Sequence, residues 1–460
     1  MSTLLPLLLL TTGLVVSPAL AQSLSLTSNS GVCETTDGVS QVSGYINISD
    51  DSDDAFWFWF FEARDDPDTK PLTLWLNGGP GCSAMIGLFQ ENGPCTVNDS
   101  AETVYNPYSW NNFSNREFLI YIDQPFGAGF SRGSTLVNST DQAADFMWQA
   151  FQILFAHEKF SKFEGREFII ATESYGARFG PVFTQYFHSQ NAKIDSGEIN
   201  GTQIEVSKLL INDGKYDPLI QMRASVEYAR NAPSYGPLVN TSVLMEVATA
   251  YNETCLPALQ NCYDDGDADT CHDAIVSCTH DVFNPTVGDR DPNDLRQNSS
   301  TPADDVVPPT FYLDYLDDQD VLDLIGAQGS YDQCDDSVKS RFSRSGETGR
   351  SFLSNLAEIA SEGKVKLLIW GGDADMKANW LGIQECIASM DWPGRSVFNE
   401  TSLSALTING EIVGQYKTVV DTNLTFIRVF EAGHSMPAYQ PEVAQTVFAR
   451  FLKGDVNSDD

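Results

Sequence analysis

The sequence predicts an α/β protein with a central, mostly parallel sheet, helices packed against it and one long insertion. Three observations lead there. The runs Leu72-Thr73-Leu74-Trp75-Leu76, Phe118-Leu119-Ile120-Tyr121-Ile122, Phe168-Ile169-Ile170, Lys366-Leu367-Leu368-Ile369-Trp370 and Phe426-Ile427-Arg428-Val429-Phe430 are short and apolar, as strands buried on both faces are, and helix-length segments separate several of them. Each run ends in polar or glycine-rich sequence: Asn77-Gly78-Gly79-Pro80-Gly81, Asp123-Gln124-Pro125, Glu173-Ser174-Tyr175, Gly371-Gly372-Asp373-Ala374-Asp375 and Glu431-Ala432-Gly433-His434. Open α/β sheets carry their sites at that carboxyl edge. Thirdly, the pattern lapses between about residues 215 and 340 and then resumes.

Taken in order, residues 4–21 form a Leu-rich apolar stretch closing on Ala19-Leu20-Ala21, the pattern of a signal peptide, here without Lys or Arg ahead of it. Val42-Ser43-Gly44-Tyr45-Ile46 and Ala55-Phe56-Trp57-Phe58-Trp59-Phe60-Phe61 flank the turn-rich Asp50-Asp51-Ser52-Asp53-Asp54 and read as an antiparallel start to the sheet. The insertion brings clustered cysteines, Asp-rich turns and Pro-containing loops, and is read as a cap. In residues 441–452, Val443, Val447, Phe448, Phe451 and Leu452 share one helical face ahead of Gly454. The expected organisation is a signal peptide over 1–21, core over 22–214, inserted cap over 215–340 and core again over 341–460.

The 460 residues are 42% hydrophobic and 20% charged, the balance of a globular protein with a large core. A formal net charge of -36 argues against nucleic acid and anionic membranes as partners, and fits work in an acidic medium, where Asp and Glu repel one another less. No later run is long and apolar enough to anchor the chain in a membrane, and the polar tail carries no GPI signal. Sequons at Asn47, Asn98, Asn112, Asn138, Asn200, Asn240, Asn252, Asn298, Asn399 and Asn423 point to a eukaryotic secretory route. Extracellular release is the expectation, with the vacuole or cell wall as alternatives and no long propeptide.

Cys255, Cys262, Cys271 and Cys278 are separated by six, eight and six residues, which suits a nested pairing of Cys255 with Cys278 and Cys262 with Cys271. His272 and His280 nearby would admit zinc, but an oxidising compartment favours disulfides. Nothing calls for a metal or organic cofactor.

A serine hydroxyl becomes a nucleophile when a base takes its proton and a third group orients that base. Ser174 follows an apolar run and precedes Gly176, as a nucleophile elbow requires. Of the five histidines, only His434 follows a buried strand; His157, His188, His272 and His280 do not. Serine, then an Asp after a later strand, then histidine is the α/β-hydrolase order.

These residues resemble the serine carboxypeptidase family. The motifs that carry the resemblance are Asn77-Gly78-Gly79-Pro80-Gly81-Cys82-Ser83, Asn106-Pro107-Tyr108-Ser109-Trp110-Asn111, Asp123-Gln124-Pro125, Glu173-Ser174-Tyr175, Asp373-Ala374-Asp375 with Asn379-Trp380, and Gly433-His434-Ser435-Met436-Pro437. The resemblance implies an α/β-hydrolase fold and hydrolysis of C-terminal peptide bonds of peptides and proteins through an acyl-enzyme. It implies Ser174 as nucleophile, His434 as base and Asp375 as orienting carboxylate; Asp373 is the alternative, and position relative to Asn379-Trp380 favours Asp375. The backbone amides of Gly79 and Tyr175 would form the oxyanion hole. Asn77, Gly78, Glu91 and Glu173, supported by Trp75, would bind the substrate carboxylate, which requires protons shared between the two glutamates. It also implies a Cys82–Cys334 disulfide, leaving Cys33, Cys95 and Cys386 unassigned.

The chain departs from the family pattern at Thr172, where Gly is usual and where a Cβ predicts strain or a shifted turn, at Gly176-Ala177-Arg178-Phe179, and at Ala378. An acyltransferase or esterase with the same triad, or an inactive binding glycoprotein, are the competing readings. Side-chain preference and oligomeric state are not legible.

Overall fold

The computed structural model describes residues 24–50, 52–65, 70–112, 118–302, 305–454 and 456, the side chain of Asp265 excepted. The signal segment read over 1–21 lies outside these residues.

Eleven strands make one sheet: β1 (Leu24–Ser28), β2 (Gln41–Asn47), β3 (Ala55–Phe61), β4 (Leu72–Leu76), β5 (Phe118–Ile122), β6 (Phe168–Glu173), β7 (Val206–Asn212), β8 (Lys366–Gly372), β9 (Ser404–Ile408), β10 (Glu411–Val419) and β11 (Leu424–Val429). Their spatial order is β1-β2-β3-β5-β4-β6-β7-β8-β11-β10-β9. From β5 to β11 in that order all pairings are parallel. The edges are antiparallel on both sides, through β1, β2 and β3 at one and β10 and β9 at the other.

Both faces of the sheet are buried, and β3 shows how sequence achieves this. Successive side chains of a strand point to opposite faces. Phe56, Phe58 and Phe60 therefore enter one core, and Trp57, Trp59 and Phe61 the other. In β8, Leu367 and Ile369 face the first core while Leu368 and Trp370 face the second. An aromatic platform at residues 56–61 is excluded by the burial of every residue in that strand.

Strand β7 was not among the five apolar runs, because Lys208 interrupts it. In the fold it pairs with both β6 and β8, and Lys208 reaches Glu167 at the sheet's end. Helix α1 (Thr140–Ala156) starts at Ser139, which accepts from the Gln142 amide. Helix α2 (Gly176–Asp195) follows β6 directly, with His188 inside it rather than beyond it. Helix α3 (Pro218–Arg230) is capped by Asp217, which accepts from the Ile220 amide at 2.9 Å. The closing helix α4 (Pro441–Lys453) buries Val443, Val447, Phe448 and Phe451, leaving Leu452 half-buried, and ends at Gly454 with φ +91°.

Between β7 and β8 the chain is mainly helical. Cys255–Cys278 and Cys262–Cys271 are nested disulfides that join two helical segments, Leu256–Asp265 and Ala268–Cys278. Cys82–Cys334 ties the loop after β4 to this insertion, and Cys33–Cys95 ties the amino-terminal segment to the strand Cys95–Val97. Cys386 is a buried thiol.

Candidate active site

The carboxyl ends of β4, β6, β7, β8 and β11 bring the site together. At the end of β6, Ser174 has φ +58°, a left-handed conformation costly for a residue with a Cβ, and it turns the chain sharply into α2. Backbone hydrogen bonds hold this turn: the Ser174 amide donates to Asn212 O at 2.9 Å, and the Lys215 amide donates to Ser174 O at 2.9 Å.

Thr172 packs against two glycines of α2. A Cβ on Gly176 would stand 2.5 Å from Thr172 Cβ, and one on Gly180 would meet Thr172 Oγ1 at 3.4 Å. Two glycines on α2 make the room that the branched side chain occupies. The positive φ of this turn is carried by Ser174 and not by Thr172.

His434 Nδ1 lies 2.8 Å from Asp375 Oδ2. Asp375 is fully buried, and its oxygens also accept from the amides of Lys377 (2.7 Å) and Ala378 (3.2 Å). With Nδ1 engaged, Nε2 is the ring atom left to serve a hydroxyl. His434 and Ser174 line one cavity of about 450 Å³. Asp373 is occupied elsewhere: it accepts from Arg428 (3.0 Å), Tyr235 (2.8 Å) and the Glu431 amide (2.8 Å).

Gly79 borders the same cavity, and Tyr175 begins α2. Neither amide has an acceptor among the described residues, and the partial positive charge of the α2 amino terminus adds to the field there. Gly78 must be glycine, because a Cβ on it would stand 2.4 Å from the Tyr175 amide. The loop after β4 therefore passes directly over the start of α2.

Next to this centre, Trp75 Nε1 (2.7 Å) and the Gly87 amide (3.1 Å) both donate to Asn77 Oδ1. The amide group of Asn77 is thereby fixed with Nδ2 towards Glu91 Oε1 (3.4 Å) and Glu173 Oε1 (3.3 Å). Burial, then the neighbouring Glu173, raises the Glu91 carboxyl well above the usual carboxylate range. Glu91 Oε2 has no hydrogen-bond partner among the described residues. A raised carboxyl beside a second one suits recognition of a carboxylate.

Three residues absent from the sequence reading also belong here, all on or after β7. Asn212 donates to Glu173 Oε2 at 2.8 Å. Asp213 accepts from the Gly372 amide at 2.9 Å, and burial and then the Asp375 charge raise its carboxyl well above the usual range. Lys215 borders the cavity. The signal was present: Asn212-Asp213-Gly214 is the same polar, glycine-containing end that marks the other strands.

The family description "serine carboxypeptidase" matches residues 32–454. The chain belongs to the serine carboxypeptidase family. It is 42% identical over 428 residues to carboxypeptidase S1 of Penicillium janthinellum, covering 92% of this chain and 98% of that one. It is 31% identical to carboxypeptidase Y of Komagataella phaffii over 427 residues, covering 91% and 77% of the two chains. The crystal structure of a prohormone-processing carboxypeptidase, Kex1Δp from Saccharomyces cerevisiae, superposes with a TM-score of 0.78 at 22% identity, over 92% of this chain and 93% of that one. The α/β-hydrolase fold is common to both.

None of the ten sequon asparagines is buried. His272 meets Ser343 and His280 meets Asp281, and no cluster of metal-ligating side chains occurs among the described residues. No described helix is long and apolar enough to cross a membrane.

Proposed function

We propose that this family member is a secreted serine carboxypeptidase that removes C-terminal residues through an acyl-enzyme on Ser174 and works best at acidic pH. The observation that carries this reading is that Ser174 and His434 share one cavity with Asn77, Gly78 and Glu173. A group that cleaves thus sits beside one that recognises a terminal carboxylate.

The substrate carboxylate is held by Asn77, the Gly78 backbone and Glu173, with the raised Glu91 carboxyl behind them. Ser174 Oγ attacks the scissile carbonyl carbon while His434 Nε2 takes its proton. Asp375 holds the ring in the needed tautomer. The carbonyl oxygen, now negative, is met by the amides of Gly79 and Tyr175. His434 then returns the proton to the leaving nitrogen, the C–N bond breaks, and the terminal amino acid departs. Water repeats the sequence on the acyl-enzyme. The insertion acts as a cap, supplying Asp291, Val307 and Lys339 to the cavity wall.

The test is a blocked dipeptide with a free carboxylate beside its amide, with wild type and Ser174→Ala. Hydrolysis of the acid alone, lost in the variant, supports the reading. Equal hydrolysis of both favours an esterase or amidase, transfer to added alcohols without hydrolysis an acyltransferase, and no turnover an inactive glycoprotein.

A further inference from the structure

Two chambers meet beside Ser174. The first, already described, is lined by Asn77, Gly78 and Glu173 and takes the departing amino acid. The second, of about 220 Å³, is bounded by Gly79 and Tyr175 and contains neither Asn77 nor Glu173, which line the first, so it lies on the acyl side of the scissile bond. Lys215, Lys377 and Gly79 line both chambers and stand at their junction.

The lining of the second chamber has three cationic residues, Arg178, Lys215 and Lys377, and no acidic one. That is the reverse of the chain as a whole, which has 63 acidic and 27 basic residues. Arg178 is fixed: it donates to the carbonyls of Glu347, Thr348 (3.0 Å) and Lys215 (3.3 Å), and its guanidinium lies 4.7 Å from the Tyr175 ring centre. The two lysine ammonium groups make no ion pair or hydrogen bond among the described residues. Lys215 faces Lys377, Arg178 and Lys339 as like charges and Asp375 as an opposite one. Lys377 faces Asp375, Glu173 and Asp291 against Lys339. Asp375 is already committed to His434 and two backbone amides, and Glu173 to Asn77 and Asn212. Burial pushes Lys215 down to about 8, so it remains charged in acidic medium. A partly buried pair of like charges is relieved by an anion placed against both.

We propose that this chamber is a subsite selective for an acidic side chain, so that the residue preceding the scissile bond is Glu or Asp, with its carboxylate held by Lys215 and Lys377. This rests on the carboxypeptidase reading given above. Selectivity arises from the acyl-side chamber, and the departing residue is left to the other.

The test compares kcat/KM for blocked X-Ala dipeptides with X as Glu, Gln or Lys, at about pH 5.5, where a Glu side chain is ionised. Glu and Gln are nearly isosteric, so their ratio isolates charge. The expected result is Glu over Gln by about tenfold, with Lys below Gln, and a ratio near one in Lys215→Met/Lys377→Met. The ratio is internal to each variant and is unaffected by a general loss of activity. Should the double variant fail to fold, each single substitution is expected to lower the ratio, and the wild-type panel is decisive by itself. A wild-type ratio near one, Lys cleaved as fast as Gln, or a ratio that survives the substitutions overturns the proposal. Absence of cleavage of all three peptides overturns the carboxypeptidase reading and this one with it, whereas cleavage without a Glu preference overturns this one alone.

Discussion

Glu91 and Glu173 are bridged by one side chain, Asn77, whose Nδ2 lies 3.4 Å from the first and 3.3 Å from the second. Glu91 is raised by burial and by its neighbour, so it keeps its proton to higher pH than an ordinary carboxyl. On the proposed reading, loss of that proton places a negative charge beside the substrate carboxylate. Peptidase kcat/KM is therefore expected to fall by roughly tenfold or more, chiefly through KM, as pH rises beyond the ordinary carboxylate range. Amide and ester substrates without the free carboxylate should lose less. Glu91→Gln keeps a donor that does not titrate, and its KM should vary less with pH. Parallel loss for both substrate classes would exclude the shared-proton account.

Asp375 and Asp373 are two residues apart and have different duties. Asp375→Asn leaves the site assembled but favours the wrong histidine tautomer, and kcat should drop by about 10⁴-fold with little change in Tm. Asp373→Asn leaves the buried Arg428 without its carboxylate, at a cost of about 3–5 kcal/mol. Thermal melts beside single-turnover rates separate the two. The assignment fails if Asp373→Asn is the catalytically dead variant.

Gly176→Ala places a Cβ against Thr172, so a destabilisation of about 1–3 kcal/mol is expected. Thr172→Gly in the same chain should recover much of it. A double-mutant cycle reads the coupling directly, and additive effects would show that the two positions do not compete for space.

The Cys82–Cys334 disulfide anchors the loop that carries Gly78 and Gly79, and its neighbours are knitted together as well: the Ser83 amide donates to Gln333 O at 2.9 Å and the Asp335 amide to Gly81 O at 3.0 Å. Replacing both cysteines by serine should lower Tm and reduce kcat by roughly tenfold or more, short of the about 10²–10³-fold that follows complete loss of an oxyanion donor. Unchanged kcat with lowered Tm would confine the disulfide to stability.

Cys386 is fully buried, and burial pushes its thiol well above the usual range. A thiol reagent is expected to find no reactive group in the native protein and one after denaturation without reductant. Modification of the folded enzyme would contradict that placement.

The sequence by itself determined that β4, β5, β6, β8 and β11 are buried, where their polar ends fall, and the order Ser174, Asp, His434. These are local properties: an apolar run shows its burial, and a glycine-rich end its turn. Residues 55–61 were legible as a strand for that reason, although only the fold shows that alternate rings feed two separate cores. Strand β7 was not legible, because Lys208 breaks the run and its snorkelling partner Glu167 is known only in three dimensions. With that strand went Asn212, Asp213 and Lys215. Position relative to Asn379-Trp380 already favoured Asp375 over Asp373, and the tertiary structure adds that Asp375 meets His434 while Asp373 meets Arg428. Thr172 looked like a defect in the elbow while read alone. Whether a Cβ fits depends on what stands opposite, and Gly176 and Gly180 stand there only once α2 has folded back against β6.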